Sequence, residues 1–314
     1  MKILVYIERA AVRGGIEVFA ERHVARLRAS GCETEICQGP ALPRMDGFDE
    51  IIVHKCSDVA TLEKFPPEKT VYYIHDHEPI CPRGYAYTPL KRNCSRPGGL
   101  FPCIFCAPAC KSWRTALGRV FSQSRRKRAM ARFRKLVVIS EFMKGRLVAN
   151  GLPAGKISVE PPEIETRPPC GARSGGPSGR PVDLLYVGQL VRGKGVHLLL
   201  AAMARMKRPR TLDIVGSGNM EDGLKALAET LGLAGRVRFD GFQEDPQDWM
   251  RAAQCVVVPS FWQEPYGLVA AEAVALGRRV VAFAVGGLPE ACGGKATLVP
   301  PGDVDALAKV LEEQ

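Results

Sequence analysis

The chain has 314 residues, with 44 Lys and Arg against 33 Asp and Glu, a formal net charge of +11. At about 150 residues per domain this length predicts two domains, and 46% hydrophobic with 25% charged residues excludes a disordered or fibrous protein. No apolar run approaches the ~20 residues that a membrane-spanning helix needs.

The opening MKILVYIERAA reads as a first strand, because Glu8 and Arg9 interrupt its apolar run too early for a signal peptide. The expected compartment is therefore cytoplasmic, where eleven cysteines point to reduced thiols or metal ligands rather than disulfides. A Gly14-Gly15 turn follows, then an amphipathic helical run over 16–30 closed by Gly31. TEICQG, EIIVHK and VYYIHD read as strands, KLVVIS as another, EFMKGRLVANG as a helix and KISVEPP as a further strand. Residues 165–181, ETRPPCGARSGGPSGRP, have no apolar periodicity and read as a linker. Strand and helix then alternate again: VDLLYVG, GVHLLLAAMARM, TLDIVG, EDGLKALAETLG, VRFDGF, PQDWMRAA, CVVVPS, GLVAAEAVALG, RRVVAFAVGG and VDALAKVLEE. Near-continuous apolar strands between helices imply parallel sheets covered on both faces. The expected architecture is α/β. It comprises an N-terminal Rossmann-like domain over 1–164, a linker over 165–181 and a C-terminal Rossmann-like domain over 182–314, with parallel sheets facing a cleft.

Ligands in such folds bind at the carboxyl ends of the strands, and four clusters lie there. In RGGIE, Gly14 and Gly15 let the backbone approach an anion at a helix start, although paired glycines are often only a tight turn. In YVGQLVRGKG, Gly188 precedes Arg192 and Lys194, which suits a diphosphate; a solvated basic loop is the plainer reading. Neither stretch has GxGxxG spacing, so a dinucleotide is not expected. In YYIHDHEP, His75 and His77 flank Asp76 at a strand end, either as ligand contacts or as satisfied structural histidines. In QEPYGLVAAEA, Pro265 keeps Glu264 out of the helix. The amides of Tyr266, Gly267 and Leu268 then open the helix towards an anion. Glu272 lies inside this apolar helix, where an unpaired carboxylate is costly. Two carboxylates gripping sugar hydroxyls, with a helix end between them for phosphates, describe a nucleotide-sugar site.

GGIE, HD after a strand, ISEF, GQL with KG, and the E-x7-E of Glu264 and Glu272 occur in the order found in glycosyltransferase family four, which the chain resembles over most of its length. The resemblance implies a retaining GT-B hexosyltransferase that moves a sugar from a nucleoside diphosphate sugar, UDP first and GDP second, to a glycan or lipid-linked acceptor hydroxyl. It places His75 and Glu264 at the donor sugar, Glu272 at the ribose, and the amides of Tyr266, Gly267 and Leu268 with Gly15 along the diphosphate. Lys194 neutralises the leaving group. No catalytic metal is expected: Asp303-Val304-Asp305 opens the last helix as a cap. The family usually carries arginine where this chain has Gln189, for which Arg192 is a substitute. The family's C-terminal helix that crosses back to the first domain is missing or short in this sequence. Two other readings stand beside this one: a non-catalytic nucleotide-sugar-binding scaffold, and a GT-B sugar-nucleotide epimerase.

Two features lie outside that site. The segment 81–110 holds Cys81 and then Cys94, Cys103, Cys106 and Cys110 in C-x8-C-x2-C-x3-C spacing. Structural zinc, an iron–sulfur cluster and metal-free thiols are the alternatives; the segment follows His75 and is expected on the acceptor side. Residues 111–135 hold ten Lys and Arg and no acid. They are either a solvated helix face or a peripheral contact with an anionic membrane at its inner face. Nucleic acid is not expected, since no recognised motif accompanies the block.

Overall fold

The computed structural model describes residues 1–8, 15–39, 41–81, 84–88, 93–95, 103, 106, 113–168 and 182–313. The chain divides into two compact units, Met1–Pro162 and Glu163–Gln314.

The first unit runs β1 (Lys2–Ile7), α1 (Gly15–Ala29), β2 (Glu33–Cys37), β3 (Glu50–Lys55), α2 (Val59–Leu62), β4 (Thr70–Ile74), α3 (Trp113–Arg132), β5 (Lys135–Val138), α4 (Glu141–Ala149) and β6 (Ile157–Val159). Its six strands lie in the order β2-β1-β3-β4-β5-β6, all parallel. Alternate residues serve opposite faces. Leu4, Tyr6, Ile51, Val53, Tyr72 and Ile74 pack with Met130, Phe133, Met143 and Leu147 of the α3 and α4 side. Ile3, Val5, Ile52, Val71, Tyr73 and Val137 pack with Ala20 and Val24 of α1. Burial on both faces explains why β1, β3, β4 and β5 are near-continuously apolar. Ser140 caps α4 by accepting from the Met143 amide at 3.0 Å.

The basic block is less free than its composition implies. Arg125 pairs with Glu63, Arg134 with Glu50, Lys135 with Glu160 at 2.7 Å, and the buried Arg126 with Glu78 at 2.8 Å. The side chains of Arg119, Arg128 and Arg132 are exposed on α3, as is Phe121. Among the described residues no helix is long and apolar enough to cross a membrane.

The second unit runs β7 (Val182–Val187), α5 (Val196–Arg205), β8 (Leu212–Val215), α6 (Glu221–Thr230), β9 (Val237–Gly241), α7 (Gln247–Ala252), β10 (Ala253–Val258), α8 (Leu268–Ala275), β11 (Arg279–Phe283), α9 (Leu288–Cys292), β12 (Thr297–Val299) and α10 (Val304–Glu312). The order is β12-β11-β10-β7-β8-β9, again parallel. The chain builds outward from β7 to β9, then returns to the other side of β7 with β10. That reversal is the topological switch point, and the loops after β7 and β10 flank it. Asp303 caps α10 through the Ala306 amide at 2.9 Å.

The segment expected to be a linker from residue 165 is docked at its start. The Gln247 side-chain amide donates to the Glu165 carbonyl, its oxygen accepts from the Arg167 amide, both at 2.9 Å, and Arg167 pairs with Asp245. The rest of it, 169–181, lies outside the described residues.

Candidate functional site

The loop after β7 turns at Gly188, whose φ of +148° is left to glycine, and the Tyr186 hydroxyl closes the turn by donating to the Gln189 carbonyl at 2.9 Å. The side chains of Gln189 and Arg192 are exposed. A short 3-10 turn over Arg192–Lys194 leads through Gly195 into α5. Two glycines press this turn onto the loop after β10. A Cβ on Gly193 would sit 2.2 Å from the Trp262 ring, and one on Gly195 would sit 1.8 Å from the Pro259 carbonyl oxygen. The Gly193 carbonyl accepts from the Phe261 amide at 3.1 Å. Gly195 also has φ +75°. Left-handed backbone costs an L-residue roughly 1–2 kcal/mol and the forced shift about as much again. Gly195→Ala is therefore expected to lower unfolding free energy by about 2–3 kcal/mol, measured by urea denaturation.

That contact brings Lys194 to Glu264. Nζ donates to Oε1 at 2.7 Å, the Trp262 indole donates to the same oxygen at 2.9 Å, and Lys194 lies 5.7 Å from the centre of the Trp262 ring. Glu264 is buried. Burial pushes its carboxyl pKa up, but the Lys194 charge and the hydrogen bonds from Lys194 and Trp262 outweigh it, and the group is held below the ordinary glutamate range. The loop after β11 holds its backbone: the Gly287 amide donates to the Glu264 carbonyl at 2.7 Å, and a Cβ on Gly286 would lie 2.3 Å from that oxygen.

Glu264 lies in the loop, ahead of α8. Gly267, at φ +119°, is the cap and Leu268 the first helical residue, so Tyr266 stands just outside the helix. The apolar helix is buried on one face: Ala270, Ala271 and Ala273 are buried, whereas Leu268, Val269, Val274 and Glu272 are half-buried. Glu272 projects from the partly open face of α8, so its charge is not sealed in the core.

Lys194, Glu264, Tyr266, Gly267, Leu268, Gly188 and Arg192 thus belong to loops and helix starts on the carboxyl side of one sheet, and Glu272 to the second turn of α8. Gly15 and His75 belong to the first unit. Gly15 opens α1; Gly14 lies outside the described residues. His75 follows β4 and lines a recess with Ile16, His54, Lys55, Asp76 and Glu78. The Asp76 carboxylate accepts from the Glu78 amide at 2.9 Å, and burial raises its pKa. Of the four-cysteine set, Cys94, Cys103 and Cys106 are described and Cys110 is not; among the described residues no group of three or more His, Cys, Asp or Glu could hold a metal ion.

Sequence reasoning missed Trp262, Gly193, Gly195, Gly286 and Gly287 as determinants of this site. The signal was present in KG and in GG after β11, but which loops they press together emerges only from strand order.

The family model described as glycosyl transferases group 1 matches residues 181–313. The chain is 38% identical over 139 residues to a glycogen synthase of Mycobacterium tuberculosis (42% of this chain, 33% of that one). It is 37% identical over 177 residues to a D-inositol 3-phosphate glycosyltransferase of Streptomyces coelicolor (51% and 38%). The matched stretches span only about a third of these relatives' lengths. Among solved structures, Anabaena HepE in complex with UDP-glucose superposes with TM-score 0.68 at 20% identity, covering 100% of this chain and 89% of that one. WaaG, a glycosyltransferase involved in lipopolysaccharide biosynthesis, gives 0.67 at 18%, covering 99% and 90%. At these identities the likeness concerns the fold alone. Two parallel Rossmann-like units make this a GT-B fold, and its second unit, over residues 181–313, matches the group 1 glycosyltransferase model.

Proposed function

We propose that the protein is a retaining glycosyltransferase. It moves a hexosyl group from a nucleoside diphosphate sugar, UDP-linked first and GDP-linked second, to a hydroxyl of a glycan or lipid-linked acceptor in polysaccharide or glycolipid synthesis. The observation that carries this reading is the Lys194–Glu264 pair at the switch point of the second sheet, 2.7 Å apart and directly ahead of the α8 N-terminus.

In this reading Glu264 accepts from donor-sugar hydroxyls through its remaining capacity and Glu272 from the ribose hydroxyls. The α8 amides with Gly188 and Arg192 hold the diphosphate, and Gly14 and Gly15 add backbone donors. His75 contacts the donor sugar. The bond from the anomeric carbon to the β-phosphate oxygen breaks, the acceptor oxygen bonds to that carbon on the same face, and the hydroxyl proton passes to the leaving phosphate. Lys194 stabilises the charge that develops there, so the chain's own cations do the work a divalent ion would do. The exposed arginines of α3 with Phe121 dock on the anionic inner face of a membrane, where a lipid-linked acceptor is met.

Thermal unfolding with UDP, GDP, ADP and buffer tests the donor site. A nucleotide at 100 times its Kd adds about 2.7 kcal/mol. The expected result is a shift with UDP that Glu272→Ala abolishes, and nucleotide release from the matching sugar donor. Shifts with none of the three would overturn an intact donor site; a shift without sugar transfer or donor hydrolysis would favour a nucleotide-sugar-binding scaffold.

A further inference from the structure

His75 is the end of a chain of three hydrogen-bonded histidines. His23 on α1 places Nδ1 3.1 Å from Nε2 of His54 on β3, and His54 places Nδ1 3.1 Å from Nε2 of His75. His23 and His54 are buried, and Phe19 and Tyr73 pack on the rings. The Tyr73 hydroxyl, which could have competed for a ring nitrogen, donates instead to Glu160 at 3.0 Å. Among the described residues, His23 Nε2 and His75 Nδ1 have no hydrogen-bond partner, so the chain is open at both ends.

Proton counting fixes what such a chain can do. Each contact between two ring nitrogens needs one proton, neither none nor two. A neutral ring carries one proton. If His54 carries it on Nδ1, His23 must carry its own on Nδ1, and His75, accepting at Nε2, is left with Nδ1–H facing outward. If His54 carries it on Nε2, all three rings are Nε2–H and His75 presents a bare Nδ1. The rings therefore share one tautomer, and what His75 offers to a ligand is tied to the state of His23 on another element.

We propose that His54 and His23 are positioning residues for His75: the chain locks its tautomer, so that Nδ1 meets the ligand in a single role, donor or acceptor, rather than as a mixture. The kinetic part rests on the glycosyltransferase reading; the tautomer lock does not. The parallel is the orienting group behind a catalytic histidine, whose loss leaves the imidazole present but wrongly protonated.

The test begins with the wild-type full-length chain, labelled with ring-15N histidine, at neutral pH. Only five histidines contribute signals. The expected result is one shared tautomer for His23, His54 and His75, all Nδ1–H or all Nε2–H; rings in different tautomers would overturn the lock. In His23→Leu the His75 signal is expected to move towards a tautomer mixture. His23→Asn, whose amide occupies the Nδ1 position, should restore it. On the transfer reaction, His23→Leu should lower kcat roughly tenfold while KM for the donor changes by less than about threefold, with His23→Asn recovering most of the loss. An unchanged His75 tautomer in folded His23→Leu, or equal loss in the leucine and asparagine variants, would overturn the positioning role. If the wild type transfers no sugar from any donor, the reaction assigned here fails while the tautomer measurement still judges the chain.

Discussion

Lys194→Ala is expected to lower kcat for sugar transfer by about 10²–10³, the effect of removing one preorganised charge-stabilising donor, or roughly 2.7–4 kcal/mol of barrier. The loss should fall on kcat more than on donor KM, because the charge Lys194 meets grows as the phosphate leaves. The same substitution acts on stability through a different atom. Glu264 is buried, and without Lys194 its carboxylate keeps the Trp262 indole but loses its counter-charge. Breaking a buried pair leaves an uncompensated charge worth about 3–5 kcal/mol. The lysine side chain is 25% exposed, so solvent screens part of this and about 2 kcal/mol is expected. Adding Glu264→Gln to Lys194→Ala removes the stranded charge and should recover much of that stability while recovering no activity. Steady-state release of nucleotide and urea unfolding of the single and double variants check both halves. A stable, fully active Lys194→Ala protein would remove the pair from the mechanism.

The division between what was legible and what was not follows interaction range. β1, β3, β4, β7 and β10 are near-continuously apolar because both faces are covered, and that pattern is local to each segment. Glu264 could be placed outside its helix from one neighbour, Pro265. By contrast α2, α9 and β12 have four, five and three residues, too few for a period to repeat, so only tertiary contacts define them. The ten cations of 111–135 looked like one electrostatic surface. Four of them find carboxylates in distant segments, at Glu50, Glu63, Glu78 and Glu160, and no composition window spans those pairs. His23 and His54 drew no notice for the same reason. His23 is one histidine in an amphipathic helix and His54 one in a mostly apolar strand, and strand order β1-β3-β4 brings them to His75.

That chain should also set how the protein responds to mild acid. Between pH 7 and pH 5 the expected loss of unfolding free energy is at least about 4 kcal/mol from these histidines. Burial pushes the His23 pKa down to about 4 and that of His75 to about 3, with Arg26 acting against the His23 charge and Lys55 against that of His75, while Glu160 partly offsets the former; His54 is lowered well below the usual range, first by burial. The unfolded chain binds these protons near pH 6.5 and the folded one does not, so the unfolded state holds more protons and stability falls as pH falls. The contribution is fully present at neutral pH, is lost progressively below about 6.5, and levels off only below the folded values of about 4 and 3. Geometry sets a floor independently. Two contacts and two outer nitrogens hold at most four protons, one more than the neutral chain, so at least two rings stay neutral while the bonds survive. At pH 5 each of those forgoes about 1.5 units at 1.36 kcal/mol, or about 2 kcal/mol. Glu264, held below its ordinary range, contributes stability that is lost only below about pH 4.5 and is silent in this window. Urea titrations at pH 7, 6 and 5 with a constant m-value would measure the slope, and His54→Leu, which removes the central ring, should flatten it. A wild-type stability that is level from pH 7 to 5 would mean the three rings protonate in place, which this hydrogen-bonded chain does not permit.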